Sequence, residues 1–165
     1  MIGYDLQTGE SRWFVEGMPT SCCASPVIAN GDLYFTDQGQ TGLHDPTGRV
    51  YRYSAAGQLT CLVDTVPSPN GIVLNKDETT LFVGVTRANA VWRVPLMLDG
   101  GVSKVGVFVQ LSGGVGPDSM TIDAEDGLIV VRPRRLTQRT ALAPLARFIQ
   151  ASMDSAAAET EEPPT

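Results

Sequence analysis

A chain of 165 residues has room for one ordinary domain, and at 42% hydrophobic against 18% charged residues it reads as globular rather than disordered. A formal charge of −6 withholds the basic footprint that nucleic-acid binding needs, and no apolar run approaches the roughly 18 residues of a membrane span. The three cysteines, Cys22, Cys23 and Cys61, form no C-x-x-C, so neither a disulfide framework nor a zinc site is supported.

The opening segment, "MIGYDLQTGE", has no basic stretch followed by an apolar one, so no secretory signal is expected and a cytoplasmic location is the default. "IGYDLQTGESRWFV" predicts the outer strands of a β-unit whose inner strands are missing. Next come "GDLYFTD" (31–37), "GRVYRY" (48–53) and "AAGQLTCLVD" (55–64), three strands in series. The pattern returns as "TTLFVGV" (79–85), "NAVWRV" (89–94) and "LDGGVSKVGVFVQL" (98–111), and begins again at "DGLIVV" (126–131). Leu33, Leu81 and Leu128 mark a step of about 47 to 48 residues, the size of one propeller blade. Val50-Tyr51-Arg52 is echoed by Val91-Trp92-Arg93, which makes Tyr51 and Trp92 candidates for packing between blades. Turn signals stand at Asn30-Gly31, Ala56-Gly57, Asp99-Gly100 and Asp126-Gly127.

Short strands at this period predict an all-β fold: a partial, open β-propeller of about two and a half four-stranded blades. A β-sandwich with coincidental spacing is the alternative. One unit runs from about Cys23 to Asp64, the next from about Asn70 to Leu111, and a third begins near Asp118. The propeller region is 1–131. After Val131 the alternation stops, and 132–165 is an unmatched tail. Leu142, Leu145, Phe148 and Ile149 recur at helical spacing and predict a short helix over 141–153. The acidic, Ala- and Pro-rich end from Ser155 to Thr165 predicts disorder. Arg132, Arg134, Arg135 and Arg139 read as a solvated linker, since no aromatic residues interleave them. The breaks at 21–29 and from 132 onward have the look of stretches read in a shifted frame.

The residues that carry chemistry sit where the blades begin. "PSPNGIVLN" (67–75) puts Asn70 after Pro69, and "GVGPDSMTID" (114–123) puts Asp118 after Pro117. Asn70 and Asp118 lie one repeat apart, hence at equivalent places in adjacent blades, and first strands line a propeller's central channel. An amide carbonyl and a carboxylate converging there make a hard, oxygen-rich pair suited to Ca²⁺, Mg²⁺ or Mn²⁺. Pro-Asn-Gly and Gly-Pro-Asp are also ordinary turns, and spacing alone does not choose between the two readings.

The series "GDLYFTDQGQTGLHDPTGRVYRYSAAGQL", "VPSPNGIVLNKDETTLFVGVTRANAVWRVPL" and "GPDSMTIDAEDGLIVV" resembles the gluconolactonase / senescence marker protein / luciferin-regenerating enzyme family of six-bladed propellers. The resemblance spans Gly31 to Val131. It implies hydrolysis of a small lactone with one divalent metal ion in the channel, Ca²⁺ first, with Zn²⁺, Mn²⁺ or Mg²⁺ as alternatives. By resemblance Asn70 and Asp118 are metal ligands, and Asp118 is also the base that activates water. It implies a small-molecule lactone as partner, with no nucleic acid and no membrane.

Three departures stand out. The blade that carries the family's first ligand, a glutamate, is absent, and neither Glu10 nor Glu16 matches it. Cys23 stands at the offset where the family places a substrate-binding asparagine, and a thiol lacks the amide's paired donor and acceptor. Ser119 replaces the usual glycine after Asp118, a source of strain if that position needs positive φ. Asp37 and Gln38, after the second strand, are weaker substrate candidates at the channel mouth. His44 reads as a loop residue, and Asp123 and Glu125 as a solvated turn. Two functions therefore compete: an impaired metal-dependent lactonase, and a non-catalytic propeller fragment that binds or self-associates through open blade edges.

Overall fold

The computed structural model describes residues 2–13, 26–39 and 42–132. Cys23, Glu16, the predicted helix over 141–153 and the tail beyond it lie outside them.

Twelve strands form among the described residues, all paired antiparallel. β1 (Ile2–Tyr4) and β2 (Ser11–Trp13) make a hairpin. β3 (Val27–Ala29), β4 (Asp32–Asp37), β5 (Gly48–Tyr53) and β6 (Leu59–Val66) form a four-stranded sheet in sequence order. β7 (Pro69–Leu74), β8 (Thr80–Val85), β9 (Ala90–Pro95) and β10 (Gly106–Gln110) form a second sheet of the same order, and β11 (Ser119–Ile122) pairs with β12 (Leu128–Val131). No helix occurs among the described residues. Among the described residues the fold is an open propeller arc: two complete blades, a strand pair on either side in sequence, and no closure.

The meander follows from turn chemistry. The predicted turns hold left-handed backbone at Asn30 (φ 49°), Gly57 (φ 84°), Gly100 (φ 84°) and Asp126 (φ 66°), conformations that Gly, Asn and Asp adopt most readily. Alternation in the strands sends one face of each sheet inward. Tyr34, Val50 and Val66 of the first blade meet Ile72, Leu74, Leu81, Val83 and Val85 of the second, all buried. Trp92 packs against this inter-blade core, as its place in the repeat predicts. Tyr51 turns to the opposite face, where it stacks on Phe35 of the neighbouring strand with ring centroids 5.3 Å apart. Its partner is thus a cross-strand pair within one blade.

Polar ties cross between blades at their ends. Arg52 forms an ion pair with Asp32 and reaches the Gly100 carbonyl of the next blade. The Lys76 N–H donates to Asp126 Oδ1 at 3.0 Å, linking the second blade to the third.

Candidate functional site

Asn70 lies inside β7 rather than ahead of it, within a bulge. Pro69 pairs with Val85 and Ile72 with Val83, so Asn70 and Gly71 together oppose the single residue Gly84. Such a bulge redirects a side chain out of the regular alternation. Asn70 is held there by its backbone, since Thr36 of β4 donates its hydroxyl to the Asn70 carbonyl at 2.7 Å. Gly71 permits the next blade to close in. Its N–H donates to the Asp118 carbonyl at 2.6 Å, and a Cβ at Gly71 would stand only 2.8 Å from that same oxygen. The Pro-Asn-Gly stretch is therefore more than a turn: proline starts the strand, asparagine sits in the bulge, and glycine admits the neighbouring blade.

Asp118 immediately precedes β11, and its N–H donates to the Val131 carbonyl of β12 at 2.9 Å. Its carboxylate faces Asn70, whose Nδ2 donates to Asp118 Oδ1 at 2.6 Å. Residues one repeat apart thus meet at the inner ends of adjacent blades. Ser119 opens β11 without left-handed backbone, so the strain expected from the missing glycine does not arise. The left-handed residue falls two places before Asp118, at Gly116 (φ 89°). Its counterpart one repeat earlier, Ser68, is left-handed as well (φ 59°).

Asn70 and Asp118 line a cleft of about 280 Å³. Gln38, at the end of β4, lines it too, as do Thr86 and Arg87 of the β8–β9 turn and the rim from Val115 to Pro117. Asp37 is not part of the lining. It is buried, and its carboxylate accepts the Gly39 N–H, bracing its own turn. His44 and Asp123 are exposed, and Asp123 accepts the N–H groups of Glu125 and Gly127. Those bonds, Gly127's first, hold the Asp123 carboxyl below its ordinary range. Glu10 is exposed between β1 and β2. Thr86 and Arg87 were not foreseen, although the repeat marks one of them: Gln38 plus one 48-residue step is Thr86.

One carboxylate and one amide carbonyl are hard-oxygen donors of the kind that Ca²⁺ and Mg²⁺ take. They fit a divalent cation in type. They supply only part of a coordination shell, because no cluster of three or more His, Cys, Asp or Glu forms among the described residues.

A family model described as the SMP-30/gluconolactonase/LRE-like region matches residues 5–140. The chain is 33% identical over 123 residues to lactonase drp35 of Staphylococcus aureus (strain MW2), covering 70% of this chain and 37% of that protein. It is also 33% identical over 131 residues to lactonase drp35 of Staphylococcus saprophyticus, covering 76% of this chain and 40% of the relative. It therefore spans well under half the length of these relatives. Among solved structures, a calcium-binding protein, regucalcin from Agrobacterium tumefaciens, superposes with a TM-score of 0.61 at 26% identity, over 79% of this chain and 46% of the other. A gluconolactonase from Xanthomonas campestris superposes with a TM-score of 0.64 at 22% identity, over 78% of this chain and 48% of the other.

Proposed function

The chain belongs to the SMP-30/gluconolactonase/LRE-like family, and on that premise we propose that it is part of a metal-dependent lactonase that opens a sugar lactone or related small lactone to its hydroxy acid. The observation that carries this reading is the contact of Asn70 Nδ2 with Asp118 Oδ1 at 2.6 Å, made across one repeat inside the cleft. Asn70 and Asp118 would hold the divalent ion, Ca²⁺ in first place, and the ion would polarise the ester carbonyl as a Lewis acid.

The other work falls to side chains of this chain. Asn70 orients the Asp118 carboxylate through Oδ1, and Oδ2 has no partner among the described residues. That oxygen takes a proton from water as the water oxygen bonds to the carbonyl carbon. When the ring C–O bond breaks, the proton passes to the departing ring oxygen, leaving the carboxylic acid and a hydroxyl on one open chain. Gln38 offers an amide to substrate hydroxyls from the blade that precedes Asn70's.

The test is acid release from gluconolactone by the purified chain, with and without Ca²⁺, Mn²⁺, Mg²⁺ or Zn²⁺, beside Asp118→Ala. Two ligands supply only part of a coordination shell and hold a cation weakly, so the expected result is slow, metal-dependent turnover that Asp118→Ala abolishes. Identical rates for both proteins under every metal would favour the second reading, a non-catalytic propeller fragment. The observation behind that alternative is the outer strand β10, which leaves Val107 and Phe108 more than half exposed.

A further inference from the structure

The β8–β9 turn, Thr86 to Asn89, is tied down at nearly every polar atom except the side chain of Arg87. Thr86 donates its hydroxyl to the Pro117 carbonyl at 2.7 Å and its N–H to the Ser68 carbonyl at 3.0 Å. The Arg87 N–H donates to the Pro67 carbonyl at 3.2 Å. Asn89 closes the turn onto the Thr86 carbonyl and sends Nδ2 to the Leu111 carbonyl at 2.9 Å. A turn gripped from three sides presents its remaining side chain with little backbone freedom to lose on binding.

Arg87 is an exposed residue of the lining of the cleft that holds Asp118. Its side chain forms no ion pair and no hydrogen bond among the described residues. Arg87 is the one cation of the described lining and Asp118 the one anion. They stand apart: no N···O approach within 4.0 Å joins them. The cleft volume of about 280 Å³ leaves space for a small ligand beside these two charges.

We propose that Arg87 is a specificity-determining residue that recognises a free carboxylate on the substrate, so that the cleft takes an acidic lactone and releases a dicarboxylate. The proposal rests on the hydrolytic reading of Asp118 and extends it to substrate class. A guanidinium presents paired N–H donors in a planar fork that matches the two oxygens of a carboxylate. A neutral polyol lactone has no group that uses the fork so well. The ester end of the substrate lies toward Asn70 and Asp118, and its far end carries the carboxylate to Arg87. The volume of about 280 Å³ is near the lower limit of small-ligand sites, roughly 300 Å³, which restricts the substrate to about one sugar unit.

Binding tests this independently of turnover. Calorimetric titrations with D-gluconate (one carboxylate) and sorbitol (none), without added metal, are run on the wild-type chain, Arg87→Gln, Arg87→Lys and Asp118→Asn. Wild type is expected to prefer gluconate over sorbitol about tenfold, the size of one charge-assisted pair at a partly exposed site. Arg87→Gln brings the preference to about one, and Arg87→Lys restores part of it, since an ammonium keeps charge without the fork. Asp118→Asn leaves the preference in place. Equal binding of gluconate and sorbitol by wild type, a preference that survives Arg87→Gln, or no binding of gluconate overturns the proposal. An intact, Arg87-dependent preference without any lactone hydrolysis would instead defeat the hydrolase reading and leave the recognition site standing.

Discussion

Ser68 and Gly116 occupy the same place in successive blades, each before the proline that precedes a site residue, and both have left-handed backbone. Their tolerance to change differs because their surroundings differ. A Cβ at Gly116 would stand 2.2 Å from the Thr86 carbonyl oxygen, which is backbone and unable to swing aside. Gly116→Ala is therefore expected to destabilise the chain by roughly 1–3 kcal/mol from conformation alone, with the clash added, as measured by urea denaturation. Ser68→Gly keeps the conformation and removes a strained side chain, so it should leave stability within about 1 kcal/mol of wild type. A Gly116→Ala loss confined to about 1–3 kcal/mol would show that the left-handed turn, rather than the close approach of Thr86, sets the cost. At this scale Asn70 and Asp118 were legible because a repeat aligns them. Arg87 was not, because its meaning lies in what fails to neutralise it, and sequence carries no distances.

Whole strands were the most legible feature. Turn residues and apolar alternation point to the same boundaries, as at Asn30-Gly31 between β3 and β4 and Asp126-Gly127 between β11 and β12. The bulge at Asn70-Gly71 was hidden, because one extra residue leaves the apolar set of β7 looking regular. The β11–β12 turn carries a pH-dependent test. Its Asp123 carboxyl is held below the ordinary aspartate range by the N–H groups of Gly127 and then Glu125. A depressed carboxyl contributes stability above its unfolded pKa, and that contribution is lost as pH falls through the lower folded value. Asp123→Ala should thus melt below wild type at neutral pH, and the gap should close on acidification through and below the ordinary aspartate range. A constant gap across that range would mean that packing, not the charged cap, holds the turn. In the core between blades, Leu81 is fully buried, and Leu81→Ala is expected to cost about 2–5 kcal/mol by transfer and cavity terms together, with the loss read from the same denaturation curves.

At the scale of the molecule, a closed propeller hides its blade faces against neighbours on both sides, and an open arc does not. The inter-blade core shows what a covered face looks like: Val50, Leu81, Val83 and Val85 are at most 1% exposed. Strand β10 shows the contrary case, with Val107 at 55% and Phe108 at 52% exposure, on the edge of its sheet. An edge strand offers unpaired N–H and C=O groups, and apolar side chains along it remove the usual deterrent to pairing with another chain. The acidic net charge of −6 opposes such contact only over about 10 Å at moderate salt, so it slows approach more than it disfavours a formed edge-to-edge pair. We therefore expect the chain to self-associate as its concentration rises from about 1 to 100 µM, the range in which exposed edges commonly meet, and more strongly at high salt. Val107→Lys places a charge on that edge at a position open to solvent. It should shift sedimentation toward the monomer while leaving the melting temperature almost unchanged. A wild-type chain that stays monomeric across that range at high salt, or a Val107→Lys protein that associates as before, would remove β10 as the contact and, with it, the observation that favours a binding fragment over a lactonase.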